Sequence, residues 1–299
     1  MKNRSNYIVY APAFDPDSGG SIFLHELVNA LNAQGETAFL WPWRRLPASG
    51  LRAEVLSRLR LPGSRWARPY GTCPGLNTPV AAPADFTASS IVVYPEVTLG
   101  NPMQAKNIAR WLLYKPGEKD PFEFTPGEAF FCAGKMSDIP DLTGGAPELF
   151  LWRRNPVYQN QNRPDRSGAC YIVRKGAHKE RIPETENAIQ VDGLSHEEIA
   201  QIFNRCDTFY SYDEATFYSQ YAAICGCQSV VIPGIYATRA EWNKNHELGR
   251  YGIAYGTSQA ELEHAEATRH LVAGLLQEQE DRGRRTVENF VRLTQDRFG

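Results

Sequence analysis

Residues 210–234 read YSYDEATFYSQYAAICGCQSVVIPG, and their grammar decides the fold. An apolar run, Thr208–Ser211, ends at a polar, acidic turn. Thr216–Cys225 is small and apolar enough to be a buried helix, Gly226 stops it, and Ser229–Ile232 is a second apolar run. Strand, loop, helix and strand in so few residues is the repeating unit of a parallel α/β sheet.

The unit recurs at the start of the chain. Tyr7–Ala13 (YIVYAPA) reads as a buried strand and FDPDSGGS as a turn. Ser21–Ala33 places Ile22, Leu24, Leu27, Val28 and Leu31 near helical spacing, Gly35 ends that helix, and Thr37–Trp41 is the next strand. Further strands are predicted at Ser90–Tyr94, Ala129–Ala133, Leu149–Trp152, Cys170–Val173 and Ala188–Val191. Met103–Tyr114 reads as a helix stopped by Lys115-Pro116-Gly117. Ser195 caps another helix, and residues 261–298 are helical in pattern. The polar stretch Tyr158–Gly168 reads as a linker. The fold class is therefore α/β, with two Rossmann-like parallel-sheet domains, 1–160 and 161–299, facing a cleft. The last helix is free to pack back on the first domain.

The totals agree with this. The chain has 299 residues, 42% hydrophobic and 22% charged, enough for two cores in an ordinary globular protein. A formal net charge of -2 argues against a nucleic-acid partner, which favours a basic surface. The six cysteines are scattered, and the one close pair, Cys225 and Cys227, is spaced too tightly for the usual zinc or redox motifs. They read as reduced, mostly buried thiols of a cytoplasmic protein. No stretch reaches the ~20 apolar residues of a membrane span, and the first ten residues hold no leader-like apolar region.

In open parallel sheets, ligands bind beyond the carboxyl ends of strands, where helices begin with unpaired N–H groups and a positive dipole end. The loop Asp213–Phe217 occupies such a place, and Asp213, Glu214 and Thr216 sit at the helix mouth. Arg174 and Lys175 follow the first strand of the second half, where a guanidinium and an ammonium suit a diphosphate. Lys179 and Arg181 read as a solvated basic flank. The alternative role for Asp213 or Glu214 is as a helix cap.

With these residues in place, 210–234 together with Arg174 and Lys175 resembles the donor half of GT-B glycosyltransferases. Ser18-Gly19-Gly20 resembles the glycine loop of their first domain. Tyr94-Pro95-Glu96, Gly100-Asn101-Pro102 and Ala109-Arg110-Trp111 resemble segments of bacterial cell-surface polysaccharide enzymes of the O-antigen or capsule type. The resemblance implies a cytoplasmic, peripheral-membrane transferase. It would move a sugar from a nucleotide sugar to a glycan or lipid-linked glycan, with no metal or other cofactor. It implies donor contacts from Gly19, Gly20, Arg174, Lys175, Tyr212, Asp213, Glu214, Thr216 and Phe217. Where many retaining members carry Glu-x7-Glu, this chain has Asp213 and Tyr221, which leaves Glu214 or Gln220 to substitute in the usual ribose contact.

If the reaction inverts, an acceptor hydroxyl needs a general base, for which Glu96, Asp15, Asp17 and His25 are the candidates. Asp15-Pro16-Asp17 precedes the glycine loop and is set aside as a metal site. Turn stabilisation is the alternative role for each acid, and core packing for His25. The arginine- and leucine-rich segment Arg44–Arg68 suits an anionic membrane surface or a lipid-diphosphate acceptor, or a solvated helix face. Two other functions stay open: a sugar-nucleotide epimerase or hydrolase on the same fold, and a non-catalytic binding subunit. No GxGxxG follows a strand, which argues against a nicotinamide enzyme.

Overall fold

The computed structural model describes residues 4–16, 18–43, 70–118 and 120–299. Asp17 and the segment Arg44–Arg68 lie outside the described residues. The chain divides into two units, Met1–Trp152 with Asp281–Gly299, and Arg153–Glu280.

The first unit is built on strands β1 (Tyr7–Ala11), β2 (Ala38–Pro42), β3 (Ile91–Pro95), β4 (Asn107–Leu112) and β5 (Ala129–Cys132). They form one parallel sheet in the order β2-β1-β3-β4-β5, with Val9 opposite Leu40 on one side and Val93 on the other. Helix α1 (Gly19–Ala33) follows β1, and Ser18 caps it by accepting from Ser21 N–H. Its Leu24, Leu27, Val28 and Leu31 join Val9, Leu40, Val93 and Trp111 in the core. A short helix α2 (Pro140–Thr143) follows β5.

The second unit repeats the plan. Strands β6 (Ala169–Ile172), β7 (Ile189–Gln190), β8 (Thr208–Ser211), β9 (Gln228–Val231) and β10 (Ile253–Tyr255) run parallel in the order β10-β9-β8-β6-β7. Counted within each sheet, both read 2-1-3-4-5, so each reverses direction between its first and third strands. Helix α3 (His196–Arg205) begins with the Ser195 cap and its reciprocal partner Glu198. Helix α4 (Tyr218–Cys225) ends at Gly226, whose φ of 99° only glycine adopts at little cost. Helices α5 (Arg239–Asn245) and α6 (Gln259–Thr268) follow. The last helix, α7 (Val272–Phe298), is shared by sequence: its Val287, Phe290 and Val291 enter the core of the first unit. Among the described residues, no helix is long and apolar enough to cross a membrane.

Three local expectations change. Met103–Tyr114 holds strand β4, not a helix. A short apolar run is ambiguous between the two, and Asn107–Leu112 is buried along its whole length between β3 and β5. Leu149–Trp152 is not a strand. Phe150 N–H donates to the Thr286 hydroxyl, which itself donates to the Phe150 carbonyl, and this leaves no ladder to extend. The polar stretch Tyr158–Gly168 lies within the second unit. Tyr158 stacks on Tyr221 at 4.1 Å, and Arg166 donates to the carbonyls of Phe203 and Cys206 at the end of α3.

Candidate functional site

In the first unit, a cleft of about 490 Å³ opens at the carboxyl ends of β1, β3 and β4. Pro12, Glu96 and Leu113, each one residue past a strand, meet there with Gly19 and Gly20 of α1. Glu96 is only 7% exposed, and its Oε2 accepts from Leu113 N–H at 2.9 Å. Burial raises its pKa, and the N–H groups of Leu113 and Tyr114 and the charge of Arg110 only partly oppose that. A carboxylate of this kind holds or takes a proton nearer neutrality than an exposed one does.

The loop that carries Glu96 is clamped by a residue whose role the sequence did not reveal. Arg110 is fully buried and forks onto Glu128 with two bonds of 2.7 Å. Its remaining donors reach the carbonyls of Pro95, Thr98 and Gly100, while Tyr94 and Phe124 cover the guanidinium. The turn after β3 is thus pinned on both sides of Glu96.

The other first-unit candidates are placed differently. Gly19 and Gly20 line the cleft, and an added Cβ at Gly19 meets nothing within 4 Å. At Gly20 it meets Leu113 Cδ1 at 3.9 Å, ordinary contact. Asp15 is exposed and is not part of the cleft wall. His25 is not a base facing the cleft: it is fully buried, with Nε2 on the Pro12 carbonyl at 3.0 Å and its ring between Phe14 and Tyr70. Burial lowers its pKa and favours the neutral ring. A cavity of about 480 Å³ at the amino ends of the strands is lined by long polar and charged side chains such as Arg4 and Glu288, and lies away from the strand ends where ligands bind.

In the second unit, the point where strand order reverses lies between β6 and β8. The 3-10 turn Arg174–Gly176 leaves β6 there. Arg174 has φ +40°, an unusual conformation for a side-chain-bearing residue, and its N–H and that of Val173 donate to the Asp192 carboxylate, both at 2.9 Å. Gly176 fits because a Cβ would collide with the Tyr212 carbonyl. The Arg174 side chain is 50% exposed, 3.9 Å from Asp213 Oδ2 and over the Tyr218 ring. Lys175 is exposed beside it. Asp213 is buried and accepts from Ala215 N–H at 3.0 Å, and Thr216 Oγ1 from Tyr218 N–H at 3.3 Å. Phe217 is exposed at the start of α4. His196, at the start of α3, stacks on Tyr218 and bonds the Tyr158 hydroxyl at 2.6 Å.

Two expected donor contacts are committed elsewhere. Tyr212 is fully buried, its hydroxyl accepting from Ile182 N–H and sharing a 2.7 Å bond with Thr185. Glu214 is buried and accepts from Tyr255 Oη at 2.6 Å and from the N–H groups of Gly234 and Ile235. Lys179 is its ion-pair partner at 3.2 Å and also donates to the Ile232 carbonyl at 2.5 Å, so Lys179 is internal rather than solvated. Burial alone would raise the pKa of Glu214, but Tyr255, Ile235 and Lys179 outweigh it and hold the carboxyl below the usual range. Arg181 does stay exposed, with its guanidinium 4.3 Å from the centre of the Tyr212 ring. Tyr221, in place of the second Glu, is a core residue stacked on Tyr158.

Among the described residues, no group of three or more His, Cys, Asp and Glu side chains is arranged to hold a metal ion. No two of the six cysteines are joined in a disulfide, and only Cys73 is not buried.

No protein-family profile and no curated protein matches the chain. Among solved structures, one titled "Crystal Structure Analysis of the Glycotransferase of kitacinnamycin" aligns over 99% of this chain and 100% of its own, at 12% identity and a TM-score of 0.41. The strand orders above stand independently of that distant likeness.

Proposed function

We propose that the chain is a glycosyltransferase whose second unit binds a nucleotide sugar through its diphosphate and whose first unit binds an acceptor hydroxyl beside Glu96. The observation that carries the reading is Arg174. It is a cation at the strand-order reversal of a parallel sheet, held in a left-handed conformation by the Asp192 carboxylate, with Lys175 next to it and α4 opening nearby. Unfavourable backbone of this kind persists where the surroundings hold it and clusters at ligand sites.

The chemistry follows from charge. As the bond between the sugar's anomeric carbon and the diphosphate oxygen breaks, negative charge grows on the leaving group. Arg174 and Lys175 offset it. The acceptor oxygen forms the new bond to the anomeric carbon, and its proton passes to Glu96, whose raised pKa suits a base working near neutral pH.

A thermal-shift panel of UDP, GDP, CMP and dTDP with their common sugars tests this, because a ligand that binds only the folded state raises the midpoint. One nucleotide family is expected to shift the wild type but not the Arg174→Ala/Lys175→Ala variant. No shift from any of them, or an equal shift in the variant, overturns the assignment.

A further inference from the structure

The cleft of the first unit is built for something other than an extended sugar chain. Its walls are largely apolar, with the rings of Phe23, Trp43 and Phe122 beside Leu24 and Leu113, while Lys115 and Asp120 add one charge of each sign to the lining. Phe122 is exposed at 41%, an apolar surface left facing solvent beside the cavity. A carbohydrate groove needs many polar partners, because each sugar hydroxyl that loses water without a new bond costs free energy. This cavity instead combines an apolar wall with one deeply buried acid, the usual economy of a small-molecule pocket.

Glu96 fixes the polar end of the ligand. Among the described residues no basic side chain pairs with it, and it is held by backbone N–H groups. A hydroxyl is the complementary partner, since it can donate to the ionised carboxylate or accept from the protonated one. Gly20 lines the same space. Neither backbone strain nor internal crowding requires glycine there, since its φ is not left-handed and a Cβ would meet only Leu113 at 3.9 Å. A long side chain at that position would occupy the cleft instead.

We infer that this cleft binds a compact, apolar, ring-bodied molecule by inserting a single hydroxyl toward Glu96. On the glycosyl-transfer reading, that molecule is the acceptor, and the sugar is added to an apolar aglycone. The word acceptor rests on that reading; the binding chemistry rests on the cleft alone.

The test is calorimetric titration of the intact chain with 2-naphthol, a ring body with one hydroxyl, and with maltotriose, which has no apolar body. The expected result is saturable one-to-one binding of 2-naphthol and none of maltotriose. Gly20→Leu should weaken naphthol binding by about tenfold or more, and Glu96→Gln by about threefold to tenfold. Thermal midpoints of both variants near or above that of the wild type show that folding is intact. The inference is overturned if 2-naphthol fails to bind up to about 1 mM, if both variants bind it as the wild type does, or if maltotriose displaces it. Nucleotide binding measured on the same proteins separates the two proposals. A failure to bind any nucleotide removes glycosyl transfer but leaves the naphthol result standing, and the reverse outcome removes only the aglycone.

Discussion

The two sheets share a strand order and differ in what they place beyond the carboxyl ends of their strands. At the first carboxyl edge the ionisable group near the switch point is a buried acid, Glu96, with no cation paired to it among the described residues, set against apolar walls. At the second edge the charges are several and mutually balanced: Arg174 faces Asp213, and Lys179 is bonded to Glu214. Topology fixes where a ligand can sit, and these few positions fix which ligand it is. On the proposed reading the first edge takes a hydroxyl compound, and the second, where Arg174 and Lys175 are exposed, takes an anion.

The largest effects should come from the buried supports of the first edge. Arg110→Met strands the Glu128 carboxylate in the core, and removing one partner of such a pair costs about 3–5 kcal/mol. Urea unfolding is expected to show that loss and a partial recovery in the Arg110→Met/Glu128→Met variant. At the second edge, Lys179→Met should cost less, about 1–3 kcal/mol, because Glu214 keeps Tyr255 and two N–H donors. Equal losses at the two edges would show that the second network depends on its lysine as fully as the first depends on its arginine.

The two buried carboxylates should respond to pH in opposite senses. Glu96 has its pKa raised by folding, so the folded state holds the proton more tightly. Its contribution to stability falls as pH rises upward from the ordinary value of 4.5, and Glu96→Gln should flatten that slope. Glu214 has its pKa lowered, so its contribution is full above 4.5 and is lost as pH falls below it, and Glu214→Gln should remove that acid sensitivity. Unfolding free energies followed from acid to neutral pH check both signs.

The smallest expected change in stability is at Arg174. Arg174→Gly relieves the left-handed backbone but loosens the unfolded chain, so stability should stay within about 1 kcal/mol of the wild type. Loss of the guanidinium should still weaken diphosphate binding by about tenfold. A marked loss of stability would make Arg174 a structural residue rather than a ligand contact.

How far the sequence leads depends on the kind of evidence each feature leaves in it. Strands such as Tyr7–Ala11 and Thr208–Ser211 are bounded by loops and followed by patterned helices, and their periodicity is local. Strand β4 reads as a helix because burial on both faces erases the alternation that marks a strand. Strand β10, only three residues long, and helix α5 left no pattern to find. The placement of Glu96, Arg174 and Lys175 just past strand ends is legible in the sequence; their roles are part of the proposal. The commitments of Tyr212 and Glu214 are not legible, because their partners, Thr185, Lys179 and Tyr255, lie 27 to 41 residues away in sequence. Arg110 was visible only as part of a motif, since nothing local marks it as the clamp of a loop it reaches across the sheet.

The most direct measurement is backbone-amide NMR of the labelled chain during titration with the nucleotide diphosphate that binds. The account predicts that the largest shifts fall on Lys175, Gly176, Tyr218 and Ser219, around the strand-order reversal of the second sheet. Largest shifts at Gly19, Gly20 and Ser21, with the second edge unmoved, would place the diphosphate on the first unit and contradict the division of roles between the two sheets.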